Sequence, residues 1–273
     1  MKSVSAVIMA LIFGVIPNSA SALERPSFME NLTDDQFRAT IDFMIGNLML
    51  VYFHEAGHMM IHELDLPVLS KEEDAVDTLA TITLLEDGDD YSDQAVTNAA
   101  ASWAGFGQDS EASGEKPIYW DVHGLAQQRA FNMACLMYGK DPVKFTSFAD
   151  AIELPKERRD TCAGEYNDMI RGWSKVLSGH LLKVENKNSF EVSYGPTENP
   201  ELQVFADIVK NSDVLTLLSN AISGHYDFQP GIKISAKECG IENAFWAPET
   251  REITFCYELM SLHAKQFVRA SGY

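Results

Sequence analysis

The residues best suited to chemistry lie between Leu50 and Leu64, in a segment with two histidines and a glutamate. His54 and His58 are four residues apart, and Glu55 directly follows the first histidine. If the segment is helical, this spacing places both imidazoles on one face, where they can bind one zinc ion (Zn²⁺). Glu55 can then reach a water molecule on that ion. The pattern therefore indicates metal-dependent hydrolysis.

A zinc site that keeps a position open for water needs a third protein ligand. The continuation H-x-x-G-x-x-H is absent, because Ile61 and Leu64 occupy the positions of the glycine and the histidine. Glu73 and Asp77 instead follow at i, i+4 spacing, which places both carboxylates on one helix face. We predict that Glu73 is the third ligand. We predict that Asp77 accepts a hydrogen bond from a ligand histidine and fixes its tautomer.

Other interpretations of these residues stay open. Glu72 and Asp74 are rivals for the ligand role, although neither has an acid four residues further on. Glu73 could instead complete a capping box with Ser70 as the N-cap. His62 extends the histidine stripe, but an imidazole one turn further along would be strained to reach the same ion. We therefore expect His62 to be structural or to lie at the rim.

A second candidate pair lies downstream, where His123 stands six residues before Arg129 and just ahead of a predicted helix. If that helix end faces the metal, His123 could donate a hydrogen bond to a developing oxyanion. Arg129 could orient substrate or anchor the acidic helix that carries Glu73. The alternative without chemistry is a helix N-terminal histidine and a surface ion pair of Arg129.

The elements that must position these residues are mostly helices. The first is predicted to start at the N-cap Thr33, to be apolar on most sides from Ile41 to Phe53, and to continue through the histidines. Asp65-Leu66-Pro67 ends it. Further helices are predicted over Ser70 to Leu85, Asp93 to Trp103, Gly124 to Tyr138, Leu154 to Leu182, Pro200 to Ser219 and Tyr257 to Arg269.

The remaining segments are predicted to be strands and a loop. Gly105 to Pro117 is rich in Gly, Ser, Gln and acid, so it is expected to be a surface loop, either a lid or inert. Short strands are predicted at Ser189 to Tyr194, Ile232 to Ile234 and Glu252 to Phe255. A hairpin-like connection is expected between the last two. The fold class is thus α+β, predominantly helical, with a small sheet from the C-terminal half, in a single domain over residues 23–273.

Composition and charge limit the compartment and the partners. The net charge of -19 argues against binding of nucleic acid or of anionic membranes. Lys2, an apolar run from Val4 to Ile16 and the small residues at 20–22 form a predicted signal peptide over residues 1–22. No later apolar stretch is long enough to span a bilayer. We therefore expect an exported protein, periplasmic or secreted, with no integral membrane segment after the signal is removed.

The chain has four cysteines, Cys135, Cys162, Cys239 and Cys256, and none forms a C-x-x-C pair. In an exported protein an even number of cysteines suggests disulfides, and three pairings are possible. The cysteines fall into two separated sets, each flanking one supersecondary unit. We therefore favour Cys135 with Cys162 and Cys239 with Cys256, with free buried thiols as the alternative.

These residues carry a family resemblance. The H-E-x-x-H segment followed by Glu73-x-x-x-Asp77 is similar to the gluzincin metallopeptidases, the class that contains thermolysin. The spacing from His123 to Arg129 resembles that of the CAAX-processing endopeptidase family. The segments HEAGH, LPVLSKEEDAVDTLA, YWDVHGLAQQRAFNMACLMYG and CGIENAFWAPETREITFCYEL look like blocks of an exported bacterial metallopeptidase family of unknown function. The resemblance implies a zincin-like fold and peptidase activity.

One departure from thermolysin concerns the sheet. Only about thirty residues separate the predicted mature start from His54, so no large N-terminal sheet can precede the active helix. Strands that bind substrate then have to come from the C-terminal half of the chain.

The resulting hypothesis is a zinc-dependent peptidase that acts on a peptide or protein substrate. One zinc ion is bound by His54, His58 and Glu73. Glu55 moves the proton of the attacking water, and His123 stabilises the oxyanion. The alternatives are a catalytically inactive zincin-fold binding protein of the envelope and an amidase that acts on cell-wall peptides.

Overall fold

The computed structural model describes residues 25–183 and 189–273, and the predicted signal peptide lies outside them. This part of the chain is mostly helical with one small sheet. Its helices are α1 (Asp34–Glu63), α2 (Glu72–Asp87), α3 (Asp90–Ser113), α4 (Ala126–Lys140), α5 (Pro142–Ala151), α6 (Lys156–Leu177), α7 (Pro200–Asn211), α8 (Val214–Ser223) and α9 (Tyr257–Ser271). The strands are β1 (Glu191–Tyr194), β2 (Lys233–Lys237), β3 (Ala244–Ala247) and β4 (Glu252–Cys256). None of the described helices combines the length and apolarity needed to cross a membrane.

Helix α1 is the central element and carries the H-E-x-x-H segment in its C-terminal third. Its first turn is closed by the predicted N-cap: Gln36 N–H donates to the Thr33 hydroxyl, and the Gln36 side chain accepts from Thr33 N–H. Most positions from Phe37 to Met60 are buried, because α2, α3, α9 and β3 all contact this helix. Its burial on most faces explains why its apolar residues follow no single stripe.

Helix α2 follows after a short connection and packs closely on α1. The contact depends on Gly57, inside the H-E-x-x-H segment, because a Cβ at this position would lie 2.8 Å from Val76 Cγ1. The predicted capping box of Ser70 and Glu73 is wrong, since α2 is preceded by Lys71 as N-cap and has no side-chain cap hydrogen bond. Glu73 points towards the histidines of α1 instead of back along its own helix.

Helix α3 extends well beyond its predicted end at Trp103, so most of the loop predicted over Gly105 to Pro117 is wrong. Two of the three glycines that suggested a loop, Gly105 and Gly107, lie inside the helix, where they allow close packing. A Cβ at Gly105 would lie 3.0 Å from Gln266 Nε2 of α9, and one at Gly107 would lie 2.5 Å from Gln127 Oε1 of α4. The connecting segment starts at Gly114 and carries His123.

Two other helical segments differ from prediction. Pro200 to Ser219 is not one helix, because the chain breaks between α7 and α8 at Asp213, which adopts a left-handed conformation with φ of 57°. The segment Asp141-Pro142 ends α4 and also starts the next helix. The Asp141 carboxylate accepts hydrogen bonds from the next amides and Pro142 occupies the first turn, so a further helix, α5, begins there.

The sheet comes from the C-terminal half, as predicted, and its order within the described residues is β1-β2-β4-β3. Strands β1, β2 and β4 are parallel, with Lys233 of β2 paired to Glu252 of β4. The predicted hairpin between these two strands is therefore wrong. The hairpin lies between β3 and β4, where Phe245 pairs with Thr254 in antiparallel register. Strand β3 is one of the two edge strands of this sheet and contacts α1.

Both predicted disulfides are present. Cys135 of α4 is bonded to Cys162 of α6, and Cys239 is bonded to Cys256 at the end of β4. The first links two helices that already pack together closely at Gly139. The second links the segment after β2 to the start of α9.

The packing of α4 on α6 yields a stability prediction. We expect Gly139→Ala to destabilise the protein by about 1–3 kcal/mol, because the new Cβ would lie 2.3 Å from the Cys162 carbonyl oxygen. Gly172→Ala in α6 is the matched control. A Cβ there meets nothing within 4 Å, so helix propensity predicts a gain of about 0.5–1 kcal/mol. Denaturant unfolding measures both, and equal stability of the two variants would contradict this packing.

Candidate metal centre

Three imidazoles converge on one carboxylate oxygen of α2. Glu73 Oε2 lies 3.3 Å from His54 Nε2, 3.4 Å from His58 Nε2 and 3.2 Å from His123 Nε2. The first two histidines come from α1, and His123 comes from the segment between α3 and α4. The structure therefore brings together the residues predicted to bind metal and the residue predicted to stabilise an oxyanion.

The Glu73 oxygen at the centre of this group is buried and has no hydrogen bond of acceptable geometry to any described residue. An unsatisfied buried carboxylate oxygen is costly unless a cation or a donor compensates it. Ligand atoms of a tetrahedral zinc ion lie about 2.0–2.1 Å from the metal and hence about 3.3 Å from one another. The nitrogen-to-oxygen distances around Glu73 match that separation, and the ligand atoms of His54, Glu73 and His123 all lie within 4.8 Å of one another, so these three residues fit a metal ion.

In each of the three histidines, Nδ1 forms a hydrogen bond with a different carboxylate. With Nδ1–H donated in this way, the lone pair of Nε2 is free for a metal. The carboxylate partners also fix the orientation of each ring. The pairs are His54 with Asp77 at 2.8 Å, His58 with Glu72 at 2.7 Å and His123 with Asp121 at 3.1 Å.

The set in which every ligand atom lies within 4.8 Å of the others consists of His54, Glu73 and His123. His58 contacts Glu73 but is not a member of this set. His62 lies outside the group: its side chain is 54% exposed, and its nearest charged neighbour is Glu63 at 3.9 Å. The rim position expected for His62 agrees with this placement.

Asp77 connects the site to the helix behind it. Arg129 of α4 donates from Nε and Nη2 to the two Asp77 oxygens, both at 2.6 Å, and its guanidinium lies 3.6 Å from the ring centre of Trp103. Bidentate pairs of this kind are among the stronger hydrogen-bonded contacts. This contact corresponds to the predicted anchoring of the acidic helix by Arg129. An action of Arg129 on substrate stays a prediction.

Charge is tightly coupled among these groups. Burial alone would lower the pKa of His54, but the hydrogen bond with Asp77 and the close approach of the Glu73 carboxylate outweigh burial and raise that pKa to about 9. Burial opposes ionisation of Glu73, yet the surrounding imidazoles hold the pKa of its carboxyl well below its usual range. The site therefore favours positive charge at its centre and keeps Glu73 ionised.

Glu55 faces the same cavity and is held by the sheet. Its Oε2 accepts a hydrogen bond of 2.9 Å from the backbone N–H of Trp246 in β3. Burial raises the pKa of the Glu55 carboxyl, against the opposing effect of the nearby imidazoles and of this amide. A carboxylate with a raised pKa next to a candidate metal site is suited to act as a general base.

Comparison with known protein families agrees with this geometry. A family model described as DUF4344, "Putative metallopeptidase", matches residues 16–177 and 194–272. The chain belongs to this family. Comparisons with curated proteins and with solved structures give no significant match. Membership of a metallopeptidase family implies a metal, and the group of His54, Glu73 and His123 could hold one.

In this family member, the site opens into a groove of about 1190 Å³. Its walls are formed by α1, α2, α3, α9, β3 and the segment between α3 and α4. Tyr119 and Trp120 on that segment are 80% and 86% exposed, unusually high values for large aromatic side chains. The groove is larger than most small-molecule sites and can hold several residues of an extended chain.

Sequence reasoning missed three contributors to the site. From the sequence Glu72 is only a rival ligand, and neither Asp121 nor the Trp246 amide is predicted to act at the site. Glu72 stands within reach of His58 only because α1 and α2 converge, so periodicity could not identify it. An acid two residues before His123 was a usable local signal for Asp121. The Trp246 amide carries no side-chain signal at all.

The carboxylate partner of His58 gives a testable prediction. We expect Glu72→Ala to weaken Zn²⁺ binding about 10- to 100-fold, because His58 would lose the acceptor that fixes its ring and tautomer. Asp74→Ala is the matched control, since Asp74 lies in the same first turn of α2 and is exposed. Competition with a chelator of known affinity measures both. An equal loss of affinity in the two variants would contradict a specific role for Glu72.

Proposed function

We propose that this chain is a zinc-dependent peptidase with a zincin-like fold that acts in the bacterial envelope or outside the cell. The observation that carries the proposal is the convergence of three imidazole nitrogens on the unsatisfied oxygen of Glu73, beside the buried Glu55. Family membership supports a peptidase role. The two disulfides are compatible with an oxidising compartment.

In this proposal His54, His58 and Glu73 hold the metal. Bound zinc would supply Lewis-acid chemistry towards a carbonyl oxygen and towards water. The chain would support that ion through Asp77 and Glu72, whose carboxylates accept hydrogen bonds from Nδ1–H of the two histidines. Arg129 in turn holds Asp77, so it acts as a positioning residue.

Glu55 is the proposed general base. Its Oε2 is engaged by the Trp246 amide, which leaves Oε1 as the oxygen that can take a proton from the attacking water. The same carboxyl then returns the proton to the nitrogen of the leaving amine. Burial favours this transfer because it raises the pKa of Glu55 towards neutral pH, where the carboxyl can both accept and release a proton.

Strand β3 is the proposed support for substrate. Asn243 accepts from Cys256 N–H, and Phe245 pairs with Thr254, so these positions face β4. The backbone groups of Ala244 and Trp246 then face away from β4 towards α1, as the bond from Trp246 to Glu55 shows. An extended peptide can pair with an edge strand of this kind and place its own carbonyl near the metal.

His123 supports a second candidate function. Its Nε2 lies as close to Glu73 as the nitrogens of α1 do, so it could complete a four-ligand site with no open position. Such a site would suit a metal-stabilised binding protein without turnover. We favour catalysis, because His123 is half-exposed on a connecting segment, whereas His54 and His58 are held within α1.

The general base is tested by Glu55→Gln. We expect loss of peptide hydrolysis by at least about 10³-fold, with Zn²⁺ content and thermal stability close to those of the parent. Glu111→Gln, an exposed position near the end of α3, should keep full activity. The assay is cleavage of an unstructured protein followed by mass spectrometry. Undiminished cleavage by the Glu55 variant, or purified protein without stoichiometric metal, would overturn the mechanism.

The role of His123 is tested by His123→Gln. We expect kcat to fall about 10²- to 10³-fold with little change in Zn²⁺ affinity, as for loss of one oxyanion donor. His62→Gln, outside the cluster, should change neither quantity. A large loss of metal affinity in the His123 variant, together with a parent protein that cleaves nothing, would favour the four-ligand binding protein.

A further inference from the structure

A second feature of the groove lies on the wall formed by α3 and α9, away from the candidate metal. Trp103 and Phe106 of α3 and Leu259 and Leu262 of α9 line this wall. The rings of Trp103 and Phe106 meet edge to face at 5.8 Å. The wall is thus mainly apolar, and its one histidine is His263.

The hydrogen bonds of His263 define its tautomer. Gln266 donates from Nε2 to the backbone carbonyl of Ser102, so its Oε1 is left as an acceptor. The only hydroxyl proton of Ser102 goes to that Oε1. Ser102 Oγ can then only accept from His263, whose Nδ1 lies 3.2 Å away. The proton of the neutral ring is therefore on Nδ1, and Nε2 carries a lone pair.

That lone pair has no partner among the described residues. His263 is 6% exposed, and its Nε2 is buried without a hydrogen bond. Burial lowers the pKa of His263 to about 4, so the ring is neutral near pH 7. A buried acceptor left without a donor is destabilising. A fixed water is a poor occupant, since an internal water needs two to four polar partners and this wall offers mainly carbon.

We propose that this wall is a specificity subsite for a substrate side chain that combines an aromatic ring with a hydrogen-bond donor, foremost tyrosine, whose O–H donates to His263 Nε2. The proposal rests on the proposed peptidase function of the adjoining metal site. His263 is the specificity-determining residue, and Ser102 with Gln266 positions it.

The chemistry of the wall selects this class of side chain. Trp103, Phe106 and the two leucines favour a flat apolar body, which excludes serine and threonine as good fits. A lysine could donate to Nε2 but would bring a charge to a neutral acceptor beside the Arg129 guanidinium, which stacks on Trp103. A phenylalanine would fill the wall and leave Nε2 empty. Tryptophan, with its indole N–H, is the other member of the class.

Access to Nε2 requires a local rearrangement, because this atom is covered in the free protein. Phe106 is half-buried, and its ring centre lies 6.1 Å from that of His263. When the Phe106 side chain rotates away from His263, the aromatic ring of the substrate can take its place on the same wall. Rotamer changes of this kind are common when a protein binds a ligand.

The test compares three peptides that differ at a single residue. Each has an otherwise aliphatic and small polar sequence with one central tyrosine, phenylalanine or O-methyltyrosine, which keeps the ring but loses the donor. We expect the metal-loaded parent to cleave the tyrosine peptide with kcat/KM at least about tenfold above either of the others. In His263→Phe the ratio between tyrosine and phenylalanine should fall to about one.

Two further variants distinguish a specific loss of the tyrosine preference from misfolding of the protein. Ser102→Ala keeps the imidazole but frees its Nδ1 proton, so the tyrosine preference should shrink while cleavage of the phenylalanine peptide is retained. His225→Phe is the matched control, because His225 is a half-buried histidine whose Nδ1 contacts a backbone carbonyl outside the groove. It should leave the preference unchanged.

A binding measurement separates this proposal from that of catalysis. Calorimetric titration of Glu55→Gln with the same peptides should show the tenfold preference without cleavage. Equal kcat/KM for the three peptides, or a preference that persists in His263→Phe, would overturn the subsite while leaving the peptidase intact. Selective binding without any cleavage by the parent would support the subsite and overturn the peptidase. Absence of both binding and cleavage would overturn both.

Discussion

The whole site depends on the burial of one carboxylate, that of Glu73, among three imidazoles. A buried charge is tolerated only where opposite charge and rigid geometry compensate it, so α2 has to be held firmly against α1. Gly57 allows the two helices to pack closely, because any side chain there would meet Val76. Asp77 fixes the position of α2, because Arg129 donates hydrogen bonds to both of its carboxylate oxygens. The rest of the helical layer can be understood as support for this single contact.

Some of the acidic side chains of this protein orient the histidines at this contact. Each ring nitrogen that faces away from Glu73 meets a different carboxylate, and two of these carboxylates belong to α2 itself. Glu72 and Glu73 also lie in the first turn of α2, where the helix dipole favours negative charge. One acidic helix start therefore provides both the ligand and the group that orients a neighbouring ligand.

What could be predicted from the sequence was mostly local. The capping residue Thr33, the helix through the histidines, the i, i+4 relation of Glu73 and Asp77 and both disulfides follow from spacing and periodicity. The failures have a common cause in packing between distant segments. Gly105 and Gly107 resemble loop residues until Gln266 and Gln127 are seen against them. Strand pairing fails for the same reason, because β2 and β4 are parallel partners and no rule of local alternation encodes that.

The site was predicted least well where it depends on backbone. No residue type marks the amide that engages Glu55, and the pairing of His58 with Glu72 is decided by where α2 lies against α1. Residue types and spacing thus identify the groups able to do chemistry, whereas the relative placement of elements decides which of those groups meet.

The bond from Trp246 to Glu55 joins positions 191 residues apart in the chain. His54, His58, Glu73 and His123 all lie within the first 123 residues, whereas the amide that orients Glu55 comes from the last hairpin. The orientation of Glu55 therefore depends on the contact between α1 and the C-terminal part of the chain. A change that displaces β3 from α1 would remove the backbone donor of Glu55 without altering any residue of the cluster around Glu73.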